Sequence, residues 1–136
     1  MQRAIVDLIH QGMVDSAHDC AEGGLAVALA EKAFVKGIGA RVNLTSSGLP
    51  LEFVLFGEDA SRIVVSCDPG QVSGIKEVAA QFGIAADVIG ETGGEQLEIS
   101  LDGRVVVSAA VSELSGAYEG ALEAVLKADP ELVAAD

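Results

Sequence analysis

In the stretch SAHDCAEGGLAVAL, residues 16–29, the ionisable residues His18, Asp19 and Glu22 stand directly ahead of Gly23 and Gly24, and unbroken apolar sequence follows. A helix start presents unpaired backbone N–H groups and the positive end of the helix dipole. Glycines there let a ligand approach the main chain closely, so the combination suits an anion such as a phosphate. His18 or Asp19 would position a substrate beside it. Asp19 could also ligate a hard cation such as Mg2+, or hold His18 in one tautomer. A purely structural use stays open. Asp19 or Glu22 would then cap the helix, the glycines would allow tight packing, and His18 would be an ordinary hydrogen-bonded residue.

A second stretch, LFGEDASRIVVS (residues 55–66), places Gly57, Glu58, Asp59 and Ser61 in a polar turn directly before an apolar run. Loop residues so placed can meet a ligand or a neighbouring domain, and Arg62 can grip a carboxylate or phosphate in bidentate fashion. The alternative is an ordinary turn, with Glu58 and Asp59 solvated and Arg62 paired to one of them. His10 falls in the last turn of a helix, where positive charge is favourable without any ligand. GETGGE (90–95) is Gly-rich but is not followed by a helix, and reads as a turn. Tyr118 falls on an apolar helix face and reads as core.

The elements that must carry these residues follow from periodicity. Residues 2–11 predict a short helix with Ile5, Leu8 and Ile9 on one face, stopped by Gly12. MVDSA is a brief extended segment leading into the first motif. Residues 24–36 predict a helix whose charges, Glu31, Lys32 and Lys36, come late, so its first half must be buried nearly all round. A short strand is expected over Ala40–Leu44 and a helical turn over 51–56, ending at Gly57. SRIVVSC is β-branched and continuously apolar, which predicts a central strand. Asp68 as N-cap and Pro69 at the first position open a helix with Val72, Ile75, Ala79 and Phe82 on its apolar face and Gly83 as its stop. IAADVIGETGG predicts a strand and a turn. QLEISLDGRVVVSA predicts a hairpin about Asp102-Gly103. Val111, Leu114, Tyr118, Leu122 and Val125 recur at helical spacing from about Ser112, with a frayed tail after about residue 128. The expected fold class is α+β: one domain, 1–136, with helices packed on a mixed, largely antiparallel sheet.

Composition narrows the partners. A chain of 136 residues can bury roughly two thirds of the surface its unfolded form exposes. Half the residues are hydrophobic and the mean hydropathy is +0.43, yet no apolar run reaches the roughly 20 residues of a membrane span. The N-terminal MQRAIVDLIHQG lacks the pattern of a secretory signal, so a cytoplasmic location is expected. A net charge of −13, with eight scattered basic residues, would repel phosphate backbones, and no nucleic-acid partner is expected. Cys20 and Cys67 lack ligand spacing and read as small buried thiols.

SAHDCAEGGLAVALAE (16–31) and LFGEDASRIVVS (55–66) closely resemble the C-terminal part of phosphoribosylformylglycinamidine synthase, the synthetase of purine biosynthesis, and LSGAYEGALEAVL (114–126) resembles that family's terminal helix. The likeness runs from the first helix to about residue 126. Related ATP-dependent families share only a looser Asp-x-x-x-Gly-Gly-Leu signature, and here the His-Asp pair and the Phe-Gly-Glu-Asp turn favour the purine enzyme. The resemblance implies an ATP- and Mg2+-dependent ligase. The formyl amide oxygen of formylglycinamide ribonucleotide is phosphorylated, then displaced by glutamine-derived ammonia to give an amidine. It also implies an N-terminal synthetase domain that binds most of the ATP and metal, a glutaminase subunit or domain as partner, and no activity of this chain by itself. Carried onto this sequence, it makes His18, Asp19, Glu22, Gly23 and Gly24 candidate substrate or phosphate contacts, with Asp19 the candidate metal ligand. Gly57, Glu58, Asp59, Ser61 and Arg62 become a secondary part of the cleft. The family often has Ser where Ala21 stands here, which shifts the weight to backbone N–H groups, His18 and Asp19. The rival expectation is a non-catalytic phosphate-binding or scaffolding domain of the same fold.

Overall fold

The computed structural model describes residues 1–128; the tail expected after about residue 128 lies outside the described residues. The chain runs α1 (Gln2–His10), β1 (Ser16–Asp19), α2 (Gly24–Phe34), β2 (Ala40–Leu44), α3 (Leu51–Phe56) and β3 (Ile63–Ser66). A single 3-10 turn at Pro69–Gln71 then leads into α4 (Val72–Gln81), β4 (Gly90–Thr92), β5 (Gln96–Leu101), β6 (Arg104–Ala110) and α5 (Val111–Ala128).

The strands form two sheets where one was expected. β4-β2-β5-β6 is a four-stranded sheet, and β1 pairs with β3 in a separate antiparallel ribbon. Among the described pairings only β2 with β5 is parallel. The expected hairpin is present: Asp102 and Gly103 both take positive φ, 49° and 80°, the backbone twist that suits a two-residue connection between antiparallel strands. Asp102 also reaches sideways, its carboxylate accepting from the Ser46 N–H at 3.1 Å. That bond holds the loop ahead of α3 against the hairpin, and hydrogen bonding from Ser46, its side chain first and then its backbone, keeps the Asp102 carboxyl below the usual range.

β3 is therefore not the central strand its apolar run predicts. All four of its residues are half-buried, because the ribbon has a different hydrophobic cluster near each end. Val64 packs against a main core of Cys20, Leu25, Leu29, Val42, Leu55, Leu97 and Ile99. Cys67 packs against a smaller cluster of Leu8, Ile75 and Val78, where α1 meets α4. A continuous apolar strand can thus report partial cover from two sides, not a place inside a sheet. Cys67 is correspondingly half-buried while Cys20 is fully buried; burial pushes both thiols up. The strand expected from Ile84 onward shrinks to the three exposed residues of β4 at the sheet edge.

α2 is the axis of the main core. Gly24, Leu25, Ala26, Ala28 and Leu29 are all buried, which spans most of the helix circumference over its first turns, as its uninterrupted apolar sequence predicts. Burying one such leucine is worth about 1.5–3 kcal/mol. Helix and core together fix where the residues ahead of Gly23 must sit.

Candidate functional site

The two sequence stretches meet through the ribbon. In the β1–β3 register His18 lies opposite Val64 and Asp19 opposite Ile63, and the Cys20 N–H donates to the Arg62 carbonyl at 3.0 Å. The pairing brings the polar turn before β3 against the start of α2. There Glu58 completes the junction: the Gly23 N–H donates to its Oε1 at 3.1 Å. Neither Asp19 nor Glu22 caps the helix, since no side chain of the local segment bonds its first amides. Glu58, 35 residues downstream, instead holds the amide of the N-cap residue Gly23, with its carboxylate placed near the positive end of the helix dipole.

The glycines have distinct uses. Both take left-handed φ, 73° at Gly23 and 70° at Gly24. A Cβ on Gly24 would lie 2.7 Å from the Cα of Phe56 and 2.6 Å from its carbonyl carbon, so Gly24 is the point where α2 and the end of α3 touch backbone to side-chainless backbone. Gly23 is half-buried, and its amide faces the Glu58 carboxylate.

His18 is held from two sides. Its Nδ1 lies 2.7 Å from the Asp19 carbonyl oxygen, and its Nε2 lies 3.0 Å from Oε2 of Glu31. The other oxygen of Glu31 accepts from the Tyr118 hydroxyl at 2.9 Å. One carboxylate on α2 thus joins β1 to α5. Lys32, beside it, donates to the Ser16 carbonyl at 3.3 Å, and its partial burial pulls the ammonium below the usual lysine range, against the opposing pull of Asp15. The bond to Glu31 raises the Tyr118 phenol, because ionising it would set two negative charges side by side.

The remaining candidates line an acidic rim. Asp19, Glu22, Glu58 and Asp59 are exposed, Ser61 sits at a left-handed φ of 70°, and Arg62 is half-buried. Among the described residues no ion pair joins Arg62 to Glu58 or Asp59. No group of three or more His, Cys, Asp and Glu residues there could hold a metal ion. Asp19 is thus not part of such a group, and among the described residues none assembles a Mg2+ site around it.

A family model for AIR synthase related proteins, C-terminal domain, matches residues 1–102. The chain belongs to this family. Among curated relatives, phosphoribosylformylglycinamidine synthase subunit PurL of Moorella thermoacetica is 40% identical over 114 residues, covering 84% of this chain and 15% of its own length. The PurL of a Synechococcus strain is 44% identical over 117 residues, covering 83% and 15%. This AIR synthase related domain therefore spans about a sixth of the length of the relatives it matches. Among solved structures, Thermotoga maritima PurL complexed with ATP and with FGAR superimposes at TM-scores of 0.75 and 0.76, at 24% identity over 83% of this chain and 20% of that one. PurLQS from the same organism superimposes at 0.75. These likenesses establish the α+β fold of the domain. No described helix is long and apolar enough to cross a membrane.

Two residues of the site escape a sequence reading. Glu31 reads only as one of the late charges of α2, and Tyr118 reads as core. Tyr118 is in fact 59% exposed; its ring packs against Phe34, centroids 5.6 Å apart, while its hydroxyl reaches Glu31. The available signal is spacing: Glu31 lies two helical turns beyond Gly24, on the face that carries the helix start.

Proposed function

We propose that this domain supplies one wall of the ribonucleotide cleft of a phosphoribosylformylglycinamidine synthase. That enzyme converts formylglycinamide ribonucleotide, ATP and glutamine-derived ammonia into formylglycinamidine ribonucleotide. The observation that carries the reading is the Gly23–Glu58 bond, which joins the two stretches resembling that enzyme into one surface. Family membership and the PurL relatives support it.

The chemistry of the wall is that of an acceptor surface. Asp19 and Glu22 offer carboxylates to donors such as ribose hydroxyls and amide N–H groups, and the Gly23 amide offers one donor, now bonded to Glu58. A ribonucleotide phosphate gains that amide by displacing the Glu58 carboxylate, with Arg62 the nearby cation. Gly57, Asp59 and Ser61 shape the turn that carries Glu58. In the complete enzyme ATP supplies the phosphoryl group that activates the formyl amide. Its polyphosphate does not suit this acidic wall, and with its Mg2+ it belongs to an N-terminal synthetase domain. Ammonia comes from a glutaminase partner, a cytoplasmic location goes with the reading, and the isolated chain is inactive.

The rival, a non-catalytic phosphate-binding or scaffolding domain, draws support from Gly24, which is packed against Phe56 and closed to any ligand. An activity assay separates the two. Purified alone, the chain forms no amidine from formylglycinamide ribonucleotide, ATP and ammonia; joined to an N-terminal synthetase domain, it does. There Asp19→Asn lowers kcat/KM at least about tenfold while the melting temperature holds. Normal kinetics in a folded Asp19→Asn enzyme would favour the scaffold.

A further inference from the structure

We propose that Glu31 and Tyr118 are positioning residues for the His18–Asp19 segment. The Tyr118 hydroxyl orients the Glu31 carboxylate, the carboxylate clamps the imidazole of His18, and the imidazole pins the Asp19 carbonyl, so that α5 sets the entrance to Gly23. The proposal rests on the reading of that entrance as a cleft wall.

Each ring nitrogen of His18 faces an acceptor. The partner of Nδ1 is a backbone carbonyl at 2.7 Å, and the partner of Nε2 is a carboxylate oxygen at 3.0 Å. Neither has a proton to give, so each contact is made by a proton carried on that ring nitrogen. Held this way, His18 has no free nitrogen for a ligand. It instead fixes the peptide that follows it, and the Asp19 carboxylate, 70% exposed, is left facing outward. Glu31 is itself used twice, Oε2 by His18 and Oε1 by Tyr118, so its carboxylate plane cannot turn without breaking one bond. The Tyr118 ring is steadied against Phe34, a residue of α2 three positions beyond Glu31. Clamp and support thus come from the same helix, and the chain of contacts runs α5, α2, β1 without a gap. Charged groups around it are few: Asp19 lies 3.9 Å from Nδ1, and Glu22 adds a weaker negative field at Tyr118.

Three substitutions in the 136-residue chain separate orientation from packing. Glu31→Gln keeps an acceptor for Nε2, Glu31→Leu keeps the bulk without one, and Tyr118→Phe keeps the ring on Phe34 without the hydroxyl. The readout is the nitrogen and N–H resonances of the His18 ring, together with the Asp19 and Gly23 amides. An Nε2–H signal protected by Glu31 is expected in the unsubstituted chain. Glu31→Gln retains the Nε2–H signal and Glu31→Leu loses it, with the Asp19 and Gly23 amides shifting in step. Tyr118→Phe speeds exchange of that proton with water roughly tenfold, the factor one lost hydrogen bond allows. The inference is overturned if the ring signals of Glu31→Leu or Tyr118→Phe match the unsubstituted chain, or if Glu31→Gln disturbs them as much as Glu31→Leu does. Adding formylglycinamide ribonucleotide keeps the two readings apart. Weaker binding in Tyr118→Phe supports both, whereas ring effects without any binding leave the positioning intact and remove the cleft.

Discussion

The Gly23 amide is capped by Glu58, a residue of a different turn, at 3.1 Å. The bond ties the entrance of α2 to the segment between α3 and β3, so a change in either stretch is felt in the other. Glu58→Ala should cost about 0.5–1.5 kcal/mol, the range for loss of one hydrogen bond, and Glu58→Gln should recover most of it by keeping an acceptor. Urea denaturation of the three chains measures this. If the same bond guards an anion site, Glu58→Ala should also strengthen inorganic phosphate binding at Gly23.

Gly24→Ala should be far more damaging than Glu58→Ala. A left-handed φ costs a non-glycine residue about 1–3 kcal/mol, and the added Cβ would meet the Phe56 backbone, which cannot rotate away. We expect loss beyond 2 kcal/mol, on the order of the strain ceiling, with the near-ultraviolet spectrum disturbed. Gly12→Ala is the control, since its Cβ meets nothing within 4 Å although its φ is also positive, 65°; it should pay strain alone. Equal losses at the two positions would show that packing against Phe56 is unimportant.

Tyr118 is the only tyrosine of the chain, so phenolate absorbance follows it without interference. Its hydrogen bond to Glu31, and the charge of that carboxylate, raise its titration in the folded state. A group whose folded value lies above its unfolded one binds its proton more tightly when folded. The stability this contributes is complete below the unfolded value, about 10 for tyrosine, and is lost as the pH rises through the folded value. Tyr118→Phe should therefore flatten the alkaline fall of the urea midpoint, and Glu31→Gln should bring the Tyr118 titration back down. An unshifted phenol in Glu31→Gln would mean the carboxylate does not hold it.

The extents of β2 and α3, the Asp102-Gly103 hairpin and the buried first half of α2 were legible because local sequence decides them: glycine stops, alternation and an unbroken apolar stretch. β3 was misplaced because a continuous apolar run reports burial on two faces and cannot say whether a strand or a helix provides the cover. The site was legible as two separate stretches. Their union was not, since the cap from Glu58 and the clamp from Glu31 depend on tertiary pairing across 35 residues in one case and on the β1–α2 packing in the other. Tyr118 was placed in the core because a helical period locates a face but not the end of a long amphipathic side chain.

Titrating the chain with formylglycinamide ribonucleotide while following its backbone amides decides whether the start of α2 is one wall of a ribonucleotide cleft. A cleft wall there gives saturable shifts centred on Asp19, Glu22 and Gly23 and on Glu58 to Arg62, with Gly24 unmoved behind Phe56 and the Gly23 shift enlarged in Glu58→Ala. Shifts absent from both stretches at saturating ligand, or confined to another face of the domain, would contradict it.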